Sequence, residues 1–208
     1  MIRNIVFDLG NVLISFRPSE YLEKNNYPPA IRNVILRDIF GSREWLLIDN
    51  GNISTEDAID IISRNSSLKR EEIASVFKKR TDIMFPLESN VRLLPELKKR
   101  GFKLYYLSNF PSDIFDEIKD GNPFFRNFDG GLISAEVKHS KPDIRFYRIL
   151  FEKYGIVPEE SLYIDDNESN VLAAKSLGMQ VIHLSETESL KEKLSKSGLP
   201  EKVAASDL

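Results

Sequence analysis

Apolar residues fall into two patterns along this chain, and the change from one to the other divides it. Residues 2–7 (IRNIVF), 103–107 (KLYYL), 161–164 (SLYI) and 179–184 (MQVIHL) are short apolar runs rich in branched and aromatic side chains, the pattern of buried strands. Residues 128–134 add another strand. Between the later runs lie helical periodicities. One covers residues 90–100 and stops at Gly101, a second covers 143–154 with Asp143 as N-cap and Gly155 as its stop, and a third runs from about Asn167 to Gly178. Strands alternating with helices predict a parallel sheet covered on both faces.

Residues 18–84 break this alternation, with apolar positions three and four apart and no strand pattern, so the segment reads as all-helical. Ser54 to Asp57 forms a capping-box start for one helix, and residues 68–79 support another. The predicted fold is therefore an α/β, Rossmann-like parallel sheet core with helices on both faces and an inserted all-helical cap. The core takes residues 1–16 and 85–208, and the cap residues 17–84. Ligands of open α/β sheets bind beyond the carboxyl ends of the strands, so the insertion is expected to cover the site. The final stretch, KVAASDL, is expected to fray.

Composition narrows the chemistry. The 208 residues contain no cysteine, which excludes thiol catalysis and cysteine-ligated metals, and two histidines, His139 and His183. A net charge of −3 without a basic half gives no footprint for nucleic acid. With no run of about 18 apolar residues, the chain is expected to be soluble and cytoplasmic and to lack a membrane span. Spacing leaves the oligomeric state open.

Four positions on the predicted sheet edge carry reactive groups. Asp8 ends the first strand, Ser108 and Asn109 end the KLYYL strand, Lys141 sits on a loop before a proline, and Asp165 and Asp166 follow SLYI. Singly, each has a plain alternative: a turn aspartate, a Ser-Asn turn, a solvated lysine, or acidic charge at a helix start. Together, in the order Asp, Ser, Lys, Asp on one edge, they suit phosphoryl transfer. A carboxylate nucleophile attacks phosphorus, a divalent cation offsets the repulsion, and a hydroxyl and an ammonium hold the phosphoryl oxygens. Asp8 and Asp166 are hard oxygen ligands suited to Mg2+.

The motifs IVFDLGNVL, LYYLSN, HSKPD and LYIDDNESN, with a helical insertion between the first two, resemble those of the haloacid dehalogenase-like (HAD) superfamily over nearly the whole chain. The resemblance implies Asp8 as nucleophile and Mg2+ ligand, Ser108 and Lys141 as catalytic phosphate-binding groups with Asn109 beside them, and Asp166 as the acidic metal ligand. Asp165 and Asn170 are implied as supporting residues. Gly10 departs from the family pattern: a second aspartate, the proton donor to the leaving group, is usual there, and glycine keeps only the carbonyl that binds Mg2+. The Phe-Asp-Leu-Gly-Asn-Val run resembles a branch acting on sugar 1-phosphates, whose anomeric leaving oxygen needs less help. The expected activity is thus Mg2+-dependent hydrolysis of a small phosphorylated metabolite, such as a hexose 1-phosphate, through an aspartyl-phosphate. A 2-haloacid dehalogenase and a non-catalytic phospho-ligand-binding protein are the alternatives. Trp45 reads as cap core or crevice wall, Arg17 and Arg43 as surface or ligand contacts, His139 as a loop residue or substitute proton handler, and His183 as buried structure.

Overall fold

The computed structural model describes residues 1–201, and the predicted fraying of residues 202–208 lies outside them. The chain opens with strands β1 (Asn4–Phe7) and β2 (Ile14–Phe16) and continues through helices α1 (Pro18–Lys24), α2 (Pro29–Ile35), α3 (Arg43–Asp49), α4 (Thr55–Asn65) and α5 (Arg70–Lys78). After β3 (Met84–Pro86), α6 (Glu88–Val91) and α7 (Leu93–Lys99), it alternates regularly: β4 (Lys103–Ser108), α8 (Ser112–Gly121), β5 (Gly130–Ile133), α9 (Ser134–Val137), α10 (Ile144–Tyr154), β6 (Ser161–Asp165), α11 (Glu168–Ser176), β7 (Gln180–His183) and α12 (Leu190–Lys196). Among these residues no helix is long and apolar enough to cross a membrane.

A five-stranded sheet in the order β5-β4-β1-β6-β7, every pair parallel, forms the core. Central β1 is buried along its whole length because helices cover both of its faces, which is why it reads as an unbroken apolar run. Its side chains alternate: Ile5 and Phe7 join Leu104, Tyr106, Leu162 and Ile164 on one face, while Val6 joins Tyr105, Leu107 and Tyr163 on the other. Full burial of each such side chain contributes about 1.5–3 kcal/mol. A one-residue slip of β1 would exchange the two faces, so this packing fixes the register.

The predicted helices around the sheet form with one change. Asp143 caps α10 by accepting from the Arg145 N–H, and Gly155 ends it at φ 65°. The helix predicted over 90–100 is instead broken between α6 and α7. Pro95 has no N–H to offer the Val91 carbonyl, so the ladder cannot run through.

Two short strands that the sequence pattern did not predict flank the helical segment. β2 and β3 pair antiparallel, Ile14 with Pro86, Ser15 with Phe85 and Phe16 with Met84, at the root of the helical block. Between them the helices bury a cluster of their own, including Leu22, Ile35, Ile39, Trp45, Ile59, Ile73 and Phe77. The capping box at Ser54 and Asp57 forms as predicted, and Trp45 stacks on Phe16 and Phe77.

Polar contacts tie this block to the sheet. Arg80 pairs with Asp113 at the start of α8, and Thr55 donates to the same carboxylate at 2.6 Å. The α3–α4 turn lies against α9: Gly51 adopts φ +64°, and a Cβ there would stand 2.7 Å from the Ala135 carbonyl oxygen. Gly51→Ala is therefore expected to lower unfolding stability by about 1–3 kcal/mol, read as a lower denaturant midpoint. An unchanged midpoint would mean that this turn does not sit against Ala135.

Candidate active site

The register Tyr106–Phe7–Ile164 across β4, β1 and β6 brings Asp8, Ser108 and Asp165 to neighbouring positions at the carboxyl ends of the three central strands. The Asp8 N–H donates to the Ile164 carbonyl at 2.9 Å, which continues the sheet ladder to Asp8. Asp8 Oδ1 accepts from its neighbour's Leu9 N–H at 2.7 Å, from Ser108 Oγ at 2.7 Å, and lies 2.8 Å from Lys141 Nζ. Among the described residues Oδ2 accepts no hydrogen bond, so it is the oxygen free of protein donors.

Lys141, read from sequence as a loop lysine, is buried with its ammonium between Asp8 and Asp165, 2.8 Å from each. Asn109 holds it there: its Oδ1 accepts from the Lys141 N–H at 2.8 Å, and its Nδ2 donates to the Lys141 carbonyl at 3.1 Å. The Asn109 amide is thus engaged with the lysine backbone. Fully buried Asp165 accepts from Lys141, from Tyr163 OH, from the Asn167 N–H at 2.8 Å and from Asn170 Nδ2 at 3.0 Å. Tyr147 OH in turn donates to the Asn170 carbonyl at 3.0 Å. With both oxygens occupied, Asp165 anchors Lys141.

Asp166 is less committed. Its Oδ2 accepts from Asn11 Nδ2 at 3.1 Å, and carboxylate oxygens of Asp8, Asp165 and Asp166 lie within 4.8 Å of one another. Three carboxylates against one lysine leave an excess of two negative charges when all are ionised. At an effective dielectric near 20, two like charges 4 Å apart cost about 4 kcal/mol, so the cluster favours a dication. Burial pushes the Asp8 carboxyl up to about 7, against the pull of Lys141. Burial also raises Asp166, against its hydrogen bond from Asn11. For Lys141 burial works downward, but the carboxylates of Asp8 and Asp165 outweigh it and keep the ammonium protonated. Asp8 and Asp166 keep oxygens free of protein donors, hard ligands of the kind that could hold a divalent cation, and Gly10 lies in the turn after Asp8.

These groups line a cavity of about 170 Å3 whose other walls include Gly10, Asn11, Trp45, Asp49 and Phe110. Beside it, sharing Asn11, Phe16 and Asp166, opens a polar cleft of about 770 Å3 along Arg17 and residues 183–189. Trp45 is both core and wall: it is buried in the helical cluster and faces the cavity. Arg43 is exposed, and Arg17 pairs with Glu20 and Glu186 at the cleft.

For His139 the loop reading holds, and for His183 the reading changes. His139 Nδ1 is turned to Asp143 at 3.5 Å and does not line the cavity. His183, expected to be buried, is exposed, because β7 is an edge strand and the residue ends it beside the cleft. Its Nε2 lies 2.9 Å from the Asp166 carbonyl. Sequence reasoning also missed Asn11, Tyr163 and Asp49. Asn11 carried a faint signal, since asparagine after glycine suits the left-handed turn it adopts at φ 52°.

A family model described as a haloacid dehalogenase-like hydrolase matches residues 2–178. The chain is 29% identical over 185 residues to the sesquiterpene phosphatase astK of Aspergillus oryzae, covering 88% of this chain and 89% of that protein. It is 32% identical over 195 residues to a phosphoglycolate phosphatase of Pseudomonas putida, covering 88% and 69%. The fold superimposes with a TM-score of 0.73 on a HAD family enzyme from Bacteroides thetaiotaomicron solved in complex with magnesium and inorganic phosphate, at 22% identity over 93% of this chain and 99% of that one. With the motif residues gathered at one strand edge and the family model spanning most of the sequence, this chain belongs to the haloacid dehalogenase-like hydrolases.

Proposed function

We infer that the protein is a Mg2+-dependent phosphatase that hydrolyses a small phosphorylated metabolite through an aspartyl-phosphate on Asp8. The observation that carries this reading is the Asp8 carboxylate, fixed through one oxygen by Ser108 and Lys141 while the other faces a cavity shared with Asp166. Asp8 Oδ2 attacks phosphorus, and water then releases phosphate from the acyl phosphate. Lys141 and the Ser108 hydroxyl supply donors to the phosphoryl oxygens, with Asn109, Asp165 and Asn170 keeping the lysine in place. Asp8, Asp166 and the Gly10 carbonyl would hold Mg2+, which when bound offsets the repulsion between carboxylate and phosphate.

The relatives named as phosphatases support this reaction class. Residues 17–84 act as a cap that selects the substrate, since Trp45 and Asp49 from that block share the cavity with Asp8. The cavity suits a phosphoryl group, and the polar cleft beside it suits a hydroxylated body such as a sugar. A hexose 1-phosphate, with its acidic anomeric leaving oxygen, is the favoured example. A dehalogenase needs no cation, and there the Asp166 carboxylate would only repel the substrate carboxylate.

A panel of phosphorylated metabolites assayed with Mg2+ and with chelator tests the reading. Phosphate release is expected with Mg2+ and is lost on chelation. Halide release from a 2-haloacid that survives chelation would replace this reading with the dehalogenase. Tight binding of a sugar phosphate with no turnover would replace it with a binding protein.

A further inference from the structure

When an alkyl phosphate ester is cleaved, the departing oxygen needs a proton, and the water that follows has to lose one. Among the described residues, three titratable side chains line the cavity: Asp8, Asp166 and Asp49. Asp8 is the nucleophile and Asp166 belongs to the cation. Lys141 is held between two carboxylates, and Gly10 has no side chain to offer. We propose that Asp49, entering from the helical block, is the catalytic acid that protonates the leaving oxygen and then the base that deprotonates the attacking water. The assignment rests on the phosphatase reading.

The placement of Asp49 is fixed from the core. It ends α3, and its carbonyl accepts a hydrogen bond from Ser134 Oγ. The same hydroxyl accepts from the Phe110 N–H at 2.9 Å, two residues beyond Ser108. The close contact of Gly51 with Ala135 holds the turn that follows. The helix end carrying Asp49 is thereby locked to the loop that positions Asp8. Its protonation state also fits. Burial pushes the Asp49 carboxyl up to about 8; Arg80 and the Trp45 indole pull it down, and the Asp113 carboxylate adds to the rise. Arg80 is paired to Asp113, and Asp8 and Asp166 line the same cavity as Asp49. At neutral pH it is a carboxylic acid able to donate.

The atoms balance in two steps. As Asp8 Oδ2 bonds to phosphorus, the ester P–O bond breaks, its electron pair stays on the leaving oxygen, and the Asp49 proton joins it, giving a neutral alcohol, the aspartyl-phosphate and an Asp49 carboxylate. Water then bonds to phosphorus and gives its proton to Asp49, and the bond to Asp8 breaks with its pair returning to that carboxylate. Inorganic phosphate leaves, and Asp49 is again an acid. With this residue in place, the site handles ordinary alcohol phosphates as well as anomeric ones.

The test compares wild type with Asp49→Asn on 4-nitrophenyl phosphate, whose leaving group needs little protonation, and on glycerol phosphate, an alkyl monoester. On the alkyl ester kcat/KM is expected to fall about 10²–10⁴-fold, and on the aryl ester less than tenfold. The aryl reaction of the variant is expected to show a burst of nitrophenol, because water attack is slowed. In the wild type, kcat/KM on the alkyl ester falls as pH rises through about 8, and the variant lacks that limb. Among the described residues a Cβ at Gly10 meets nothing within 4 Å, so Gly10→Asp added to Asp49→Asn is expected to restore alkyl turnover at least tenfold. Equal losses on both esters without rescue by Gly10→Asp, or no loss on the alkyl ester, overturns the role of Asp49 alone. If wild type releases phosphate from neither ester nor from the metabolite panel, the phosphatase reading falls and this role with it.

Discussion

Asp8→Asn is expected to lower turnover by about four orders of magnitude or more, because the amide cannot form the acyl phosphate on which both half-reactions depend. The substitution is nearly isosteric. Its amide oxygen can still accept from Ser108 and the Leu9 N–H, the donors that hold Oδ1. Burial already pushes the Asp8 carboxyl up to about 7, so a neutral group at this position is tolerated and the fold is expected to persist. Loss of activity with an unchanged thermal transition marks a chemical role. Residual turnover within tenfold of wild type would remove Asp8 as nucleophile.

Lys141→Met is expected to have the largest effect on stability. The methionine fills much of the same volume but leaves the Asp8 and Asp165 carboxylates without their shared cation in a buried site. Removing one partner of a buried ion pair costs about 3–5 kcal/mol. The deficit grows with pH. Burial already raises the Asp8 carboxyl against the pull of Lys141, so without Lys141 it binds its proton still more tightly in the folded chain than in the unfolded one. The penalty is therefore small in acid, where Asp8 is protonated in both states, and mounts as pH rises from its unfolded towards its folded value. Denaturation at pH 5 and pH 8 checks this: the gap from wild type widens at the higher pH. A constant gap would mean that Lys141 does not neutralise these carboxylates in the fold.

The parts of the site that sequence made legible are those set by local chain geometry. Asp8, Ser108 and Asp165 each end or directly follow an apolar strand, and a parallel sheet brings such ends to one edge. Lys141 could be placed on a loop by Pro142, but its burial could not be read, because the groups that hold it, Asp8, Asp165 and Asn109, come from other strands and their loops. Asp49 was hidden for the same reason. Along α3 it is one polar residue after WLLI, and only the tertiary contact of the helix end with Ser134 sets it at the cavity that Asp8 also lines. The β2–β3 ladder escaped notice because three residues per strand are too few to establish alternation, and Pro86 at its end weakens the strand pattern. His183 was misplaced because an apolar run does not reveal which strand lies at the edge of the sheet.

The most direct measurement is capture of the covalent intermediate. The protein is mixed with Mg2+ and a turned-over phosphate ester, quenched in acid within the first turnover, digested, and analysed by mass spectrometry with fragmentation. The account predicts one phosphoryl group on the peptide containing Asp8, carried by that side chain and absent when chelator replaces Mg2+. Phosphate released at full rate while Asp8 stays unmodified, or a phosphoryl group on another residue, would contradict it.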